Sequence, residues 1–489
     1  MAEGDFMRIS FSFVISVINI LFVITAIYSE RKKPMEIGMW ILIMTFLPVG
    51  GFVLYLFFGR GLRFSKKKRF KIKKEYDDDY NSQIIAQKNL LRNKEFLLED
   101  KNSQSYYDII EMHINESNSI LTDDNDIDIF INGTDKYTAL IKDIEEAKET
   151  IHLLYFIIKD DVIGEKIVSL LTQKAREGVE VRFLYDHLGS YFTPAGMFND
   201  LIKAGGKVNR FFPLKFGTYL RANYRNHRKV VVIDGKIGYL GGMNIGDEYM
   251  GRGKNKMIWR DTHLRITGSA VYMLQTRIMQ DWYYSSDAND MGDELLGEKL
   301  FPTINSKGKI AMQIVSSGPD ASGQQIKRGF IKMINCAKES IYIQTPYFIP
   351  DETFLESLQI AAMSGKDIRV MIPGVPDKKM VYRVTFSYIQ ELLDYGIKVY
   401  IYPGFLHSKM VVIDEEVSSI GTTNMDIRSF KLDFEVNAFI YNSKFSLKCA
   451  KIFENDMKIS ELVTMEWYKS RSIWNKFQEG FFRLFSGLL

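Results

Sequence analysis

Two stretches of the sequence decide the fold, His227-Arg-Lys229-Val-Val-Val-Ile-Asp234 and His407-Ser-Lys409-Met-Val-Val-Ile-Asp414. Both read His-x-Lys-x4-Asp, and matched positions follow each of them: Gly241, Gly242 and Asn244 after the first, and Gly421, Thr422 and Asn424 after the second. The two copies are 180 residues apart at every one of these positions. One copy of so short a pattern is a weak signal. Two copies at constant spacing predict a duplicated unit.

The sequence around the motifs is duplicated too. Ala147-Lys-Glu-Thr-Ile151 recurs as Ala337-Lys-Glu-Ser-Ile341, and further matches keep an offset between 180 and 192 residues. Apolar runs alternate with amphipathic stretches near 162–177 and 353–364, which predicts sheets flanked by helices. We therefore predict an α/β protein with two tandem domains, 121–300 and 301–465, packed about a pseudo-two-fold axis.

The motif itself suggests a local geometry. Val230–Ile233 and Met410–Ile413 read as buried strands, and the residues after each aspartate read as two-residue hairpin turns. With such turns His227 would lie opposite Asn244, and His407 opposite Asn424. Facing residues on paired strands have Cβ atoms about 5 Å apart. Each half would then present one cluster of His, Lys and Asn.

These residue types suit an anionic phosphate group. Lys229 and Lys409 supply compact positive charges, and asparagine amides donate further hydrogen bonds. Histidine serves as a nucleophile or as a proton carrier near neutral pH. Asp234 and Asp414 repel an anion, so we expect them to orient lysine or backbone groups. One His per motif and a central Lys do not form a metal cage, so we expect no metal and no cofactor.

Charge is distributed unevenly along the 489 residues. The chain sums to +4, residues 60–74 carry +9, and residues 1–59 are neutral, so residues 75–489 sum to −5. A body of that charge argues against a nucleic-acid partner. The two cysteines, Cys336 and Cys449, are too few for a disulfide framework and fit a reducing compartment.

Two uncharged stretches, 9–28 and 37–58, are long enough to cross a bilayer. They predict a transmembrane hairpin over residues 1–60. The basic run after it places the larger part of the chain on the cytoplasmic side and against anionic headgroups. A cleaved signal peptide is the alternative for 9–28, and a kinked or re-entrant segment is the alternative for 37–58, which contains Pro48.

Several stretches together resemble the phospholipase D superfamily, and most closely the bacterial cardiolipin synthases within it. The resemblance covers nearly the whole chain. It is carried by the two motifs and by Leu47-Pro-Val-Gly-Gly51, Gly238-Tyr-Leu-Gly-Gly-Met-Asn-Ile-Gly-Asp247, Trp259-Arg-Asp-Thr-His263, Gln344-Thr-Pro-Tyr-Phe-Ile-Pro350 and Gly421-Thr-Thr-Asn-Met-Asp-Ile-Arg-Ser-Phe430. Asp433 departs from the pattern, which has Asn there.

The resemblance implies two phospholipase D-like domains and a phosphatidyl transfer at a bacterial cell membrane. His227 would attack phosphatidylglycerol to give a phosphatidyl-histidine, and His407 would act as acid and base. The phosphate oxygens would be held by Lys229, Lys409, Asn244 and Asn424. The motif aspartates, Asp234 and Asp414, complete the expected catalytic set. An acid after each motif would brace the histidine: Asp261, 34 residues after His227, and Glu435, 28 residues after His407. Solvated or salt-bridged carboxylates are the alternative for both.

Other functions are compatible with the same residues. A phospholipase D hydrolase would pass the phosphatidyl group to water, and a nuclease or a non-enzymatic membrane scaffold is further from the pattern. Residues 61–120 read as a basic juxtamembrane segment and tether. Residues 466–489 are amphipathic, and they predict either an interfacial helix or a cap on the core. The acceptor lipid and the oligomeric state do not follow from the sequence.

Overall fold

The architecture was obtained from a computed structural model of the chain. The structure describes residues 20, 24, 34–47, 50–51, 77–93, 98–213, 223–252, 259–286, 299–321, 323–484 and 486–487. The chain divides into two compact units, residues 1–65 with 213–224, and residues 66–212 with 225–489. Each unit is described by itself.

The smaller unit contains α1 (Pro34–Phe46). This helix covers part of the second predicted span. Most of the first span, and residues 48–49 and 52–58 of the second with Pro48 among them, lie outside the described residues. Among the described residues, no helix combines the length and the hydropathy needed to cross a bilayer.

The larger unit begins with helices and continues into the first half of the duplication. The helices of this unit up to the end of the first half are α2 (Asp77–Arg92), α3 (Tyr107–Ser117), α4 (Gly133–Glu146), α5 (Val162–Arg176), α6 (Asn199–Lys203) and α7 (Ala270–Ser285). Short 3-10 helices cover Asn102–Tyr106, Ala195–Phe198 and Asp247–Met250. The strands of the first half are β1 (Leu121–Phe130), β2 (Thr150–Tyr155), β3 (Glu180–Asp186), β4 (Lys207–Phe211), β5 (Val230–Ile233), β6 (Ile237–Gly241), β7 (Trp259–Arg260) and β8 (His263–Thr267).

The second half has the same kinds of element in the same order. Its strands are β9 (Ile310–Ser317), β10 (Ser340–Gln344), β11 (Phe348–Ile349), β12 (Asp367–Pro373), β13 (Lys398–Tyr402), β14 (Phe405–Leu406), β15 (Met410–Ile413), β16 (Val417–Gly421), β17 (Met425–Asp426), β18 (Glu435–Tyr441) and β19 (Glu461–Val463). Its helices are α8 (Gln325–Cys336), α9 (Glu352–Met363), α10 (Lys379–Ser387), α11 (Ile389–Asp394), α12 (Ile427–Lys431), α13 (Ser443–Lys458), α14 (Met465–Ser470) and α15 (Ile473–Arg483).

The sheet order demonstrates the duplication. The first half runs β1-β8-β6-β5-β2-β3-β4, and the second runs β9-β18-β16-β15-β10-β12-β13, with β19 added at its edge. Antiparallel pairing of β1 with β9 joins the halves into one 15-stranded sheet of the described chain. The predicted α/β architecture of two tandem domains is therefore confirmed.

Each half has its own apolar core on the helix-covered sheet. The central strands β2 and β5 in the first half, and β10 and β15 in the second, consist almost wholly of buried residues. Continuous apolar runs of this kind are typical of strands covered on both faces.

The segment before β1 packs against the core of the second half where the structure describes it. Helix α3 buries Ile109, Ile110 and Ile114, and they belong to the core of the second half. Ile84 of α2 and Leu98 belong to that core as well. The isoleucines spaced along α3 form an apolar stripe that burial stabilises.

Candidate active site

The two motif histidines lie where the two halves of the sheet exchange backbone hydrogen bonds. The amide of His227 donates to the carbonyl of Phe434 at 3.0 Å, and the amide of His407 donates to the carbonyl of Arg260 at 2.7 Å. In the second case β14 runs parallel to β7 of the first half. The backbone of each half therefore fixes the histidine of the other half.

The same crossing continues in the side chains. Nδ1 of His227 lies 2.9 Å from Oε1 of Glu435, and Nδ1 of His407 lies 2.6 Å from Oδ2 of Asp261. Each acid directly follows the residue whose carbonyl accepts the same histidine's amide hydrogen bond, so the arrangement is two-fold symmetric. A carboxylate accepts the hydrogen bond from Nδ1–H, which leaves Nε2 as the ring nitrogen for substrate.

Both motif lysines bend back over their own segment. Nζ of Lys229 donates to the carbonyl of His227, and Nζ of Lys409 donates to the carbonyl of His407 at 2.5 Å. Both side chains are buried. Burial lowers the pKa of Lys229 to about 7 and that of Lys409 to about 8, with Glu435 opposing the shift of the former and Asp261 that of the latter. An anion placed between them would favour their charged forms.

The histidines and lysines of both halves form one electrostatic cluster. Burial lowers the pKa of His227 well below its usual range, and the charges of Lys229, Lys409 and His407 act in the same direction. Burial likewise lowers the pKa of His407 to about 4. His227 is therefore neutral at neutral pH, the state in which a histidine can attack phosphorus, whereas an anion bound beside His407 would favour the charged form of that histidine. Burial raises the pKa of Glu435 well above its usual range, against the opposing charge of Lys229.

Aromatic rings surround the two histidines. The ring of Phe156 lies 4.9 Å from that of His227. His407 is contacted by the rings of Trp259 and Phe405, each at 5.6 Å, and by Tyr249 at 6.1 Å. Such walls lower the local dielectric and strengthen charge interactions inside the site.

The predicted asparagine ligands have hydrogen bonds inside the protein. Oδ1 of Asn244 accepts from the amide of Ile157 at 3.0 Å, and its Nδ2 donates to Tyr249 at 3.1 Å. Asn424 hydrogen-bonds the carboxylate of Asp426. Both asparagines are buried, and their role as phosphate ligands stays a prediction.

The hairpin turns differ from the predicted ones by one residue. Ile233 pairs with Ile237, and Ile413 pairs with Val417, so each turn has three residues instead of two. Asp234 and Asp414 take positive φ angles of 50° and 53° inside these turns. Aspartate tolerates this backbone region better than most residues, and the predicted facing of each His with the Asn is therefore wrong in register.

The motif aspartates hydrogen-bond backbone amides, and their grouping with the catalytic residues stays a prediction. The carboxylate of Asp234 accepts amide hydrogen bonds from Lys148, Glu149 and Thr150 at 2.7–3.2 Å. The carboxylate of Asp414 does the same for Lys338, Glu339 and Ser340 at 2.7–2.8 Å. These amides belong to the repeated Ala-Lys-Glu-Thr/Ser-Ile sequence, so the two duplicated motifs bind each other. The expectation that the aspartates orient backbone groups is confirmed.

Sequence reasoning missed the residues that hold the two acids. The hydroxyl of Thr422 donates to Glu435. At the equivalent position of the first half, a Cβ on Gly242 would lie 2.1 Å from Oδ1 of Asp261. A glycine is required there because the acid fills the space. In the sequence these contacts were signalled by the difference between Gly242 and Thr422, which occupy equivalent positions of the two repeats.

Two buried charged residues near the site were not predicted as site residues from the sequence. Lys136 is fully buried in the first half and donates to the hydroxyl of Tyr155 at 3.0 Å. Burial lowers its pKa to about 7, with Asp261 opposing the shift. Burial also raises the pKa of Asp433, the departure from the family pattern, to about 6, and Arg428 opposes that shift at 3.3 Å.

Two other histidines, His113 and His152, have contacts of their own outside the cluster, whereas the charge of Lys229 acts on buried His263. Among the described residues, no group of three or more His, Cys, Asp and Glu side chains is arranged to hold a metal ion. His113 is buried beside Phe439 in the core of the second half, and His152 bonds to Gln275 and Arg182.

Comparison with known proteins extends these findings. The family model described as cardiolipin synthase, PLD-like domain matches residues 140–275 and 330–457, and a model described as phospholipase D-nuclease N-terminal matches residues 17–60. A curated cardiolipin synthase of Listeria innocua is 46% identical over 97% of this chain and 98% of that protein. The major cardiolipin synthase of Bacillus subtilis is 44% identical over 97% of this chain and 98% of that protein.

A solved structure has the same fold at low sequence identity. The phosphatidylserine synthase of Haemophilus influenzae matches with a TM-score of 0.58 and 14% identity, over 78% of this chain and 100% of that chain. The similarity supports the tandem-domain fold and carries no statement about substrate.

Proposed function

The chain belongs to the cardiolipin synthases with phospholipase D-like domains, and we propose that it transfers a phosphatidyl group from one phosphatidylglycerol to another. The products are cardiolipin and free glycerol. The chain is thus a phosphatidyltransferase. The observation that carries the residue roles is the crossed pairing of the two histidines with Glu435 and Asp261.

In the first step, Nε2 of His227 attacks the phosphorus of phosphatidylglycerol. The bond from phosphorus to the headgroup glycerol oxygen breaks, and His407, protonated on Nε2 beside the bound phosphodiester anion, supplies the proton that this oxygen needs. A phosphatidyl-histidine results, and glycerol leaves. The assignment of His227 as nucleophile follows the superfamily, since the two histidines are nearly equivalent in their contacts.

In the second step, a hydroxyl of a second phosphatidylglycerol attacks the same phosphorus. His407, now lacking its proton, accepts the proton of that hydroxyl as the P–O bond forms and the P–N bond breaks. Lys229 and Lys409 stabilise the negative charge on the non-bridging oxygens, and Asn244 and Asn424 would add hydrogen bonds. Every proton taken up in one step is returned in the other.

The membrane arrangement is the finer part of the proposal. Segments 9–28 and 37–58 form a hairpin in a bacterial cytoplasmic membrane, with the catalytic domains on the cytoplasmic side. The charge of +9 over residues 60–74 supports this orientation. A C-terminal alkaline phosphatase fusion should be inactive, and an active fusion would reverse the topology.

The reaction is tested with phosphatidylglycerol as the only lipid, in excess EDTA, with products measured by mass spectrometry. Equimolar cardiolipin and glycerol are expected, and His227→Ala should form neither. Phosphatidic acid as the main product would make water the acceptor and the protein a hydrolase. Dependence of the reaction on a divalent metal would contradict the site as described.

A further inference from the structure

The last helix, α15, exposes large apolar side chains on a fixed face. Ile473, Trp474, Phe477 and Leu484 are 86%, 64%, 61% and 76% exposed. The rings of Trp474 and Phe477 stack on each other with centroids 5.5 Å apart. Residues three and four apart share a helix face, so these side chains form one outward stripe. Contiguous exposed apolar surface of this kind marks an interaction site.

The contacts of the inner face of α15 fix which of its side chains are exposed. Glu479 is 1% exposed, and its carboxylate pairs with Arg471 and lies 3.9 Å from Arg383 of α10. Phe482 packs against the core of the second half. A charged residue is held inside by specific ion pairs while tryptophan and phenylalanine face outward. Rotating the helix to bury the aromatic stripe would leave Glu479 without its partners.

The surroundings of the stripe are basic. Residues 465–484 contain four Lys/Arg and two acids. Arg471 is paired with Glu479 and Arg483 with Glu391, which leaves Lys469 and Lys476 against Glu466. Lys469 is exposed next to the helix. Lys378 and Lys379, at the start of the neighbouring helix α10, are exposed as well. Aromatic and aliphatic side chains flanked by basic groups match the interface of an anionic bilayer.

The stripe is also connected to the catalytic cluster. Arg483 of α15 donates to the carbonyl of Ser387 at the end of α10 at 3.4 Å. At the other end of α10, the charge of Lys378 acts on His227. Helix α10 therefore contacts α15 near one end and has Lys378, whose charge acts on His227, at the other.

We propose that α15 lies in the headgroup region of an anionic bilayer and seats the catalytic domains on the surface that supplies their lipid. The proposal rests on the proposed function, because a lipid transferase takes its substrates from a bilayer. A second copy of the chain is a less suitable occupant, since two such faces would bring like charges together. The sequence left open whether this segment is interfacial or a cap, and the contacts of Glu479 and Phe482 show that it is packed on one face.

The test places an environment-sensitive fluorophore on the stripe of the full chain reconstituted in vesicles. The background carries Cys336→Ser, because Cys449 is fully buried. Phe477→Cys receives the label, and Ile473→Cys is a second site should the first variant fold poorly. Lys142→Cys is the control, since Lys142 has a side chain 72% exposed on the first half. The vesicles contain phosphatidylglycerol with or without spin-labelled lipid.

Lipid contact predicts at least twofold quenching of the label at residue 477 or 473 by spin-labelled lipid, and none at residue 142. Unquenched emission typical of water would overturn the proposal. Unquenched but blue-shifted emission would overturn it in favour of protein covering the stripe. Cardiolipin formation is measured in the same vesicles, so a failure of the docking proposal is separated from a failure of the proposed reaction.

Discussion

Nδ1 of His407 lies 2.6 Å from Oδ2 of Asp261, although the two residues belong to different halves of the molecule. The opposite pair, His227 with Glu435, is related to it by the internal two-fold symmetry at 2.9 Å. An acid at Nδ1 fixes both the tautomer and the direction of an imidazole. Neither half alone therefore contains an oriented histidine, and each acid serves the chemistry of the opposite motif.

The roles of the two histidines can be separated by the leaving group. His407→Ala should lower the rate with phosphatidylglycerol by about 10²–10⁴-fold, the usual contribution of a general acid or base. A phosphatidyl ester of p-nitrophenol needs no proton on its leaving group, so His407→Ala should still release a stoichiometric burst of p-nitrophenol. His227→Ala should give no burst. A burst from His227→Ala and none from His407→Ala would exchange the two assignments.

The crossed pairing predicts which acid variant shares the kinetic behaviour of which histidine variant. Asp261→Asn should behave like His407→Ala, with a slow reaction of phosphatidylglycerol and a retained p-nitrophenol burst, because Asp261 orients His407. Glu435→Gln should lose the burst, because Glu435 orients His227. The measurement is rapid-mixing absorbance of both variants on both substrates. If each acid instead resembled the histidine of its own half, the crossed pairing would have no catalytic meaning.

The sequence was sufficient for the duplication and for most elements of the two halves. The matched motifs placed β5 and β15, and the stretches near 162–177 and 353–364 correspond to α5 and α9. A repeat cannot tell whether an acid acts on its own half or on the other one, since Asp261 follows His227 in sequence but contacts His407. Such a choice depends on how the halves pack, which is a long-range property.

The turn register shows a second limit of local reasoning. A two-residue turn after Asp234 was the ordinary expectation, and the three-residue turn exists because Asp234 is held by amides 84 to 86 residues earlier in the chain. The two ends of that contact, the motif aspartate and the Ala-Lys-Glu-Thr-Ile repeat, were both visible as duplicated sequence. Their contact with each other was not.

Replacement of Asp234 tests whether this residue stabilises the fold without taking part in the reaction. Asp234→Ala removes the acceptor for three backbone amides, and we expect a loss of about 2–4 kcal/mol in the free energy of unfolding. The rate per folded molecule should change less than threefold. Asp200→Ala, which removes an exposed carboxylate paired with Lys203, should change stability by less than about 0.5 kcal/mol. Thermal denaturation in detergent and active-site titration provide the two readouts.

The lowered pKa values of the two lysines predict a pH dependence of anion binding. Lysine is charged below its pKa, so Lys229 and Lys409 lose positive charge as pH rises through about 7 and about 8. A soluble phosphodiester such as dibutyl phosphate keeps its single negative charge over this range. Its Kd should be constant below about pH 6.5 and should rise at least tenfold by pH 9.5. Calorimetric titration at several pH values measures it.

Lys409→Arg is the matched variant for that experiment. A guanidinium stays charged throughout this pH range, so the rise in Kd should begin at the same pH but have a smaller slope. An unchanged slope would mean that Lys409 does not contact the anion. A Kd of the parent protein that does not vary with pH would remove both lysines from the phosphate site.

The absence of a side chain at Gly242 leaves room for the Asp261 carboxylate, which hydrogen-bonds His407. Because a Cβ at this position would lie 2.1 Å from Oδ1 of Asp261, Gly242→Ala must displace that carboxylate and with it the hydrogen bond to His407. We expect this variant to fold and to repeat the behaviour of Asp261→Asn, with a retained p-nitrophenol burst and a turnover of phosphatidylglycerol at least tenfold slower. Gly196→Ala is the control, since a Cβ there meets no atom closer than 3.7 Å. Normal turnover in Gly242→Ala would show that His407 does not need Asp261 in its present position.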